Sequence, residues 1–222
     1  MDEEVRNELA ELPPIPESSV QAYQKHLAEL VEKVNKSMSS RPDLRMLIGD
    51  NSKQVMFDNH TNHGIFMSNV FALKQYSLCV STILWVYRSY HSRGFSYAYF
   101  PAHLRAWRDA LQETLPADAA QPLIAVYDWM LSRHEDFIAW SQGSAQDLPQ
   151  PEEAWHEIYR SFVQALTTGD RKQVLRLGRE AVRTSRDLVQ FYLQVVQPAM
   201  YAVGQMWELG EISVGKEHLA SA

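Results

Sequence analysis

Near its end the chain places Trp207, Glu217 and His218 in a Trp-x9-Glu-His pattern, with Val214 three and four residues before the last two. These types can build a binding surface. An indole is a flat apolar lid, and a carboxylate and an imidazole can bond hydroxyl groups of a ligand. A second set of candidates lies in the N-terminal half. His60 and His63 are three apart and can share one side of a helix, and His91 ends a stripe of Val80, Leu84 and Tyr87. Taken singly, each has an ordinary reading, the indole as a core anchor and the histidines as polar residues at the edge of a helical core. No Gly-rich phosphate loop, no Gly-x-Ser-x-Gly elbow and no His-Glu-x-x-His pair occurs, so the pattern is that of a binding module and not of an enzyme.

The elements that must position these groups read as helices almost throughout. Val20, Tyr23, Leu27, Leu30, Val31 and Val34 repeat at helical spacing behind Ser18 or Ser19, and a short helix opens at Ser40 and Pro42 and ends at Gly49. The pattern predicts a long helix from about Lys53 to Gln75 with Val55, Phe66, Val70 and Leu73 on one side. It predicts another from about Leu78 to Ser92, stopped by Gly94. Leu104, Trp107, Ala110 and Leu111 mark the next, and a single helix is expected from about Ala119 to Trp140. The stretch SQGSAQDLPQP, Ser141 to Pro151, is polar and reads as a linker. Beyond it, helices are expected from Trp155 to Leu166, from Val174 to Val182 behind Asp170, and from Ser185 to Trp207. Pro198 should kink the third, and Ser213 caps a final one. No alternating runs joined by Asn-Gly or Asp-Gly suggest a sheet.

Composition bounds the function. With 222 residues, 45% hydrophobic and 22% charged, the chain has the makeup of a soluble globular protein of one large or two modest domains. A net charge of −6 without basic runs argues against nucleic acid as a partner. The single Cys79 excludes an internal disulfide and fits a reducing cytoplasm. The acidic N-terminus is no signal peptide, and the most apolar run, Leu78 to Tyr90, is too short to span a membrane.

The text VQPAMYAVGQMWELGEISVGKEHLASA, with GDRKQVLRLGREAV upstream, resembles the four-helix cap of cobalamin-binding modules. The Trp-x9-Glu-His spacing is similar to the version in light-sensing cobalamin repressors. That resemblance implies that Trp207, Val214, Glu217 and His218 pack against the adenosyl group of adenosylcobalamin. Some light-responsive relatives carry a His directly after the Trp, whereas here the residue is Glu208. In the family the fourth helix leads into a Rossmann-like domain with an Asp-x-His-x-x-Gly loop, whose His binds cobalt. Asp58-Asn-His60-Thr-Asn-His63-Gly64 imitates the loop but places Gly one residue late on an expected helix, so it is rejected as the lower ligand. The chain is accordingly expected to be a fragment cut within its fourth cap helix, with the Rossmann-like domain and an output domain as missing partners.

The N-terminal half resembles a sensor-type globin domain, with His63 as far before His91 as a distal position lies before a proximal histidine, and Trp129 in the last helix. A globin-like pocket beside a cobalamin cap is similar to photocobilins, which pair cobalamin with biliverdin. The resemblance implies that His60, His63 and His91, with Arg88, Arg93 and His103 nearby, meet a bilin, and that the helices of His63 and His91 face each other across a cavity. Cys79 sits in an apolar run and is not expected to attach the pigment. The expectation is thus an all-α protein with a globin-like domain at 18–140 and an incomplete cobalamin cap at 151–222. It would be a cytoplasmic light sensor, with a homodimer left open. The alternatives are a haem-globin gas sensor with His91 as axial ligand, fused to a cobalamin module, and a corrinoid carrier for methyl transfer.

Overall fold

The structure, a computed structural model, describes residues 8, 12, 14–74, 76–143 and 148–222. Every regular element among them is helical, so the protein is all-α. None of these helices is long and apolar enough to cross a membrane. The chain divides into two compact units, Met1–Gly143 and Ser144–Ala222. Part of the expected linker, residues 144–147, lies outside the described residues, and its start belongs to a helix: Ser141 is buried and its hydroxyl donates to the Ile138 carbonyl.

Unit 1 contains α1 (Glu17–Ser39), α2 (Leu44–Ile48), α3 (Lys53–Leu73), α4 (Tyr76–His91), α5 (Tyr99–Thr114), α6 (Ala117–Ser132) and α7 (His134–Gly143). Helix α1 is its axis and packs against α3, α5 and α6, while α4 packs mainly against α7. Tyr23, Leu30 and Val34 of the expected stripe in α1 are fully buried and Met38 continues it, while Val20, Leu27 and Val31 are half-buried. Ser52 caps α3 by accepting from the Val55 N–H. Two glycines make the turn before α5 possible. Gly49 (φ 61°) faces the Gly94 carbonyl so closely that a Cβ would come within 2.5 Å of it. Asn51 ties the two turns together by donating to the Ile48 and Arg93 carbonyls, both at 2.8 Å.

Three expectations are corrected here. The buried side of α3 is Met56, His60, Gly64, Met67, Val70 and Phe71, while Val55 and Leu73 are exposed. The stretch from Ala119 to Trp140 is two helices, broken at Arg133, whose guanidinium is held by Glu8 and by Asp136 at 2.8 Å. Helix α3 ends at Lys74, which adopts a left-handed conformation (φ 55°) without being glycine.

Unit 2 contains α8 (His156–Thr168), α9 (Arg171–Ala181), α10 (Ser185–Phe191), α11 (Gln197–Glu208) and α12 (Val214–Ser221). Here α8 is the axis, packed by α9, α11 and α12. The unit's small core is Phe162, Leu166, Leu177, Phe191, Val195, Ala199, Val203 and Ala220. Asp170 caps α9 as expected, but the cap of α10 is Thr184, which forms a reciprocal box with Asp187. Between α10 and α11 the backbone widens into one π-helical segment, Tyr192–Val196, where the Gln197 N–H reaches back to the Tyr192 carbonyl. Pro198 follows directly. It has no N–H to give, and it stands in the first turn of α11, where that donor is not needed by the new helix.

Candidate ligand-binding groups in the two units

In unit 2 the turn after α11 is set by Gly210 (φ 74°), and the N–H groups of Glu211 and Ile212 both return to the Met206 carbonyl. The Ser213 hydroxyl then accepts from the Lys216 N–H and starts α12. Helices α11 and α12 pack against each other and against α8. At the end of α8, a Cβ on Gly169 (φ 73°) would lie 2.7 Å from Leu219 Cδ2, so this contact of α8 with α12 admits only glycine without rearrangement.

This geometry puts Trp207 half-buried on α11, and Val214 (48% exposed) and His218 exposed on α12. Glu217 is partly buried. One of its carboxylate oxygens accepts from the Ser221 hydroxyl at 2.7 Å, and the other lies 2.6 Å from His218 Nδ1. Those two bonds, the Ser221 one foremost, hold the carboxyl below the usual range, so Glu217 is an ionised acceptor at neutral pH. Ser221 is a partner that the spacing argument did not find. Elsewhere on its surface the unit exposes Tyr192, Leu193, Tyr201, Leu209 and Leu219, each about half accessible. Scattered exposed apolar groups are ordinary, but several on so small a unit make a surface suited to a large, mostly apolar ligand.

The histidines of unit 1 do not converge as expected. His60 and His63, from α3, meet His103 of α5 in the interior. The His60 and His103 rings stack at 4.8 Å, and the His63 ring stands edge-on to His103 at 4.7 Å. Trp107 donates its indole N–H to His103 Nε2 at 2.7 Å, His63 Nε2 lies 3.1 Å from the Tyr127 hydroxyl, and His60 Nδ1 lies 2.6 Å from Asn35 Oδ1. Burial pushes His60 down to about 4 and His63 to about 3, and it places His103 well below the ordinary imidazole value; proximity of the other imidazoles adds to the last two shifts. All three are neutral, and the space around them is filled by the rings of Tyr99, Trp107 and Tyr127.

His91 is elsewhere. It is exposed, its ring stacks on Tyr97 at 4.0 Å, and Nδ1 lies 3.2 Å from the Phe95 carbonyl. The rings that surround His63 are His103, Trp107 and Tyr127, so His63 and His91 do not face each other across a cavity. The physical reason is that His91 is the last residue of α4, beyond the face that Val80 and Tyr87 bury. With Nδ1 donating to the Phe95 carbonyl, Nε2 is the acceptor nitrogen of the ring. Cys79 is 1% exposed and its thiol is pushed up to about 12, which makes it a poor nucleophile.

Residues 158–222 match the family model described as the B12 binding domain. The matched segment starts inside α8 and contains all four groups of the unit 2 surface. A cobalamin-type cofactor is therefore supported for unit 2, while unit 1 lies outside the match. No curated protein and no solved structure matches the chain. The residues present fit such a ligand: a half-buried indole, exposed aliphatic groups and an ionised carboxylate beside an imidazole are what a large ring system bearing hydroxylated substituents requires.

Proposed function

We propose that this chain is the sensory part of a light-responsive photoreceptor, a binding and signalling module and not a catalyst, whose C-terminal unit covers the upper face of adenosylcobalamin. The observation that supports it is the α11–α12 surface within the B12-binding segment, where Trp207 and Val214 offer apolar cover and Glu217 with His218 offers hydroxyl partners. In this reading Trp207 shields the adenosyl group, Val214 lines its edge, and the Glu217 carboxylate accepts from ribose hydroxyls in exchange for the Ser221 hydroxyl. The cofactor supplies the light absorption; the protein supplies shape, water exclusion and the fixed acceptor. Because Glu208 follows Trp207, no imidazole stands at that position to bind cobalt after photolysis.

A second pigment, biliverdin, would meet unit 1 at the exposed His91 and Tyr97 and not in the His60–His63 interior. The stacked pair of rings is the feature that favours this face: His91 can offer Nε2 to a pyrrole N–H while the half-buried Tyr97, stacked parallel on the imidazole, holds its orientation. Haem in place of the bilin, and a methyl-transfer carrier with neither, remain the competing readings.

The test is binding by the full-length protein. Trp207→Ala is expected to weaken adenosylcobalamin at least ~10-fold, equivalent to about 1.4 kcal/mol, with little change for hydroxocobalamin, which lacks the group the indole covers. Equal loss for both ligands would overturn the role. Absorption after addition of biliverdin or haem then separates the pigments: far-red bands lost in His91→Ala support the bilin site, and a sharp Soret band supports haem.

A further inference from the structure

The interior of unit 1 contains a feature that ligand binding in unit 2 does not use. Three imidazoles from two helices form one layer, and the hydrogen bonds dictate their protonation. The Trp107 indole can only donate, so His103 Nε2 must be bare to receive it. With Asn35 Oδ1 accepting from Nδ1, His60 keeps its proton there, and its Nε2 is buried without a partner. A proton added to either nitrogen would break the indole bond or leave an unpaired cationic N–H in the core, each expensive in a site closed to water.

The groups that face the layer from every packed element are uncharged. They are Asn35 and Tyr23 of α1, Tyr99 and Trp107 of α5, and Tyr127 of α6, with Cys79 of α4 near enough to Tyr127 to affect it electrostatically. The influences on the three imidazoles are burial and one another, with no carboxylate among them to balance a positive charge. Helix α1 packs on both α3 and α5, and the His60, His63 and His103 rings bridge the two directly. Asn35, half-exposed, and His63, itself partly accessible, connect the layer to the surface, while His60 and His103 are buried.

We propose that the His60–His63–His103 layer is a proton-operated latch, which holds α3 to α5 while all three imidazoles are neutral and releases them when it is charged. The sign follows from linkage. In the native layer His60 and His63 bind protons only near pH 4 and 3. In the released state they bind near the ordinary value of about 6.5. Between those limits the released state holds more protons, so the latch is fully closed above about pH 6.5 and loses strength as the pH falls toward 4. Unit 2 has no such layer: its His218 is exposed and its His156 lies 2.8 Å from the Pro151 carbonyl.

The experiment is an NMR titration of the histidine ring signals in the full chain from pH 7.5 to 4, with near-ultraviolet circular dichroism followed in parallel. The expected result is that His60, His63 and His103 stay neutral while the aromatic signal is intact, then change together as it collapses. Any one of the three titrating alone near pH 6.5 with the aromatic signal unchanged overturns the proposal. His60→Gln with His103→Gln, which keeps an acceptor for Trp107 and leaves His63 as the one titrating ring of the layer, should move the collapse about one pH unit lower. A collapse at an unchanged pH in that variant also overturns it. Should the variant fail to fold at pH 7.5, the titration of the unaltered chain still decides.

Discussion

Unit 1 and unit 2 are both built around their first long helix, α1 and α8, yet they spend their apolar residues differently. Unit 1 buries Tyr23, Phe71, Tyr99, Trp107 and Phe137 almost completely and adds His60 and His103 to the same interior, with His63 at its edge. Unit 2 buries one small cluster around Phe162 and Phe191, whose rings meet edge to face at 5.5 Å, and leaves Leu193, Tyr201 and Leu209 about half exposed. The contrast separates two jobs. A dense core with matched polar contacts holds a shape; a thin core under an apolar surface offers that surface to something else.

The contrast can be broken most forcefully at Trp107. Its ring lies within 6.3 Å of Tyr23, Tyr127, His63 and His103, and its N–H supplies the bond on His103. Trp107→Ala should cost about 3–5 kcal/mol and lower the thermal transition of unit 1 while leaving that of unit 2 in place. Calorimetry that shows both transitions falling together would mean the units do not unfold separately. Gly64→Ala should act in the same direction with a smaller effect. The new Cβ would lie 2.8 Å from both Leu27 Cδ1 and Trp107 Cη2, and the Gly64 carbonyl already accepts from Tyr23. Overpacking of about 1–3 kcal/mol, offset by about 1 kcal/mol of helix propensity, leaves a net loss of about 1 kcal/mol. An unchanged transition temperature would show that Leu27 and Trp107 yield more easily than their packing implies. The smallest effect belongs to unit 2: Leu193→Ser should change stability by less than about 0.5 kcal/mol, because the side chain is 52% exposed. A loss above 1 kcal/mol in denaturant unfolding would show that this surface is covered in solution.

Much of this division was legible in the sequence, because most elements begin and end on residues with local reasons. Asp170 and Ser213 each accept the expected cap bond, and Gly49, Gly169 and Gly210 each take a positive φ at a turn. What local reasoning missed has tertiary causes. The buried side of α3 carries His60 and Gly64, so a search for apolar spacing slides to Val55, one residue from the buried Met56, and to Leu73, two from the buried Phe71. The break at Arg133 has no glycine or proline; ion pairs to Glu8 and Asp136 flank it. At the candidate sites, Trp207, Glu217 and His218 were visible as types at a spacing. Asn35 and Tyr127 were not, since each acts by hydrogen bonding to a residue that the fold brings to it, whereas Ser221 is a local partner, one turn after Glu217 on the same helix.

The π-helical segment at Tyr192–Val196 has a consequence for which way the chain's later residues point. An added residue in a helix advances every following side chain by about 100° around the axis. The run from Ser185 to Glu208 therefore works as two differently clocked pieces, Phe191 meeting the core before the wide turn and Ala199 and Val203 meeting it after. Removing one residue there would leave a helix of nearly the same length and composition, yet it would swing Ala199, Val203 and the Trp207 indole through more than a quarter of a circle around the axis, out of register with the core that Phe191 meets.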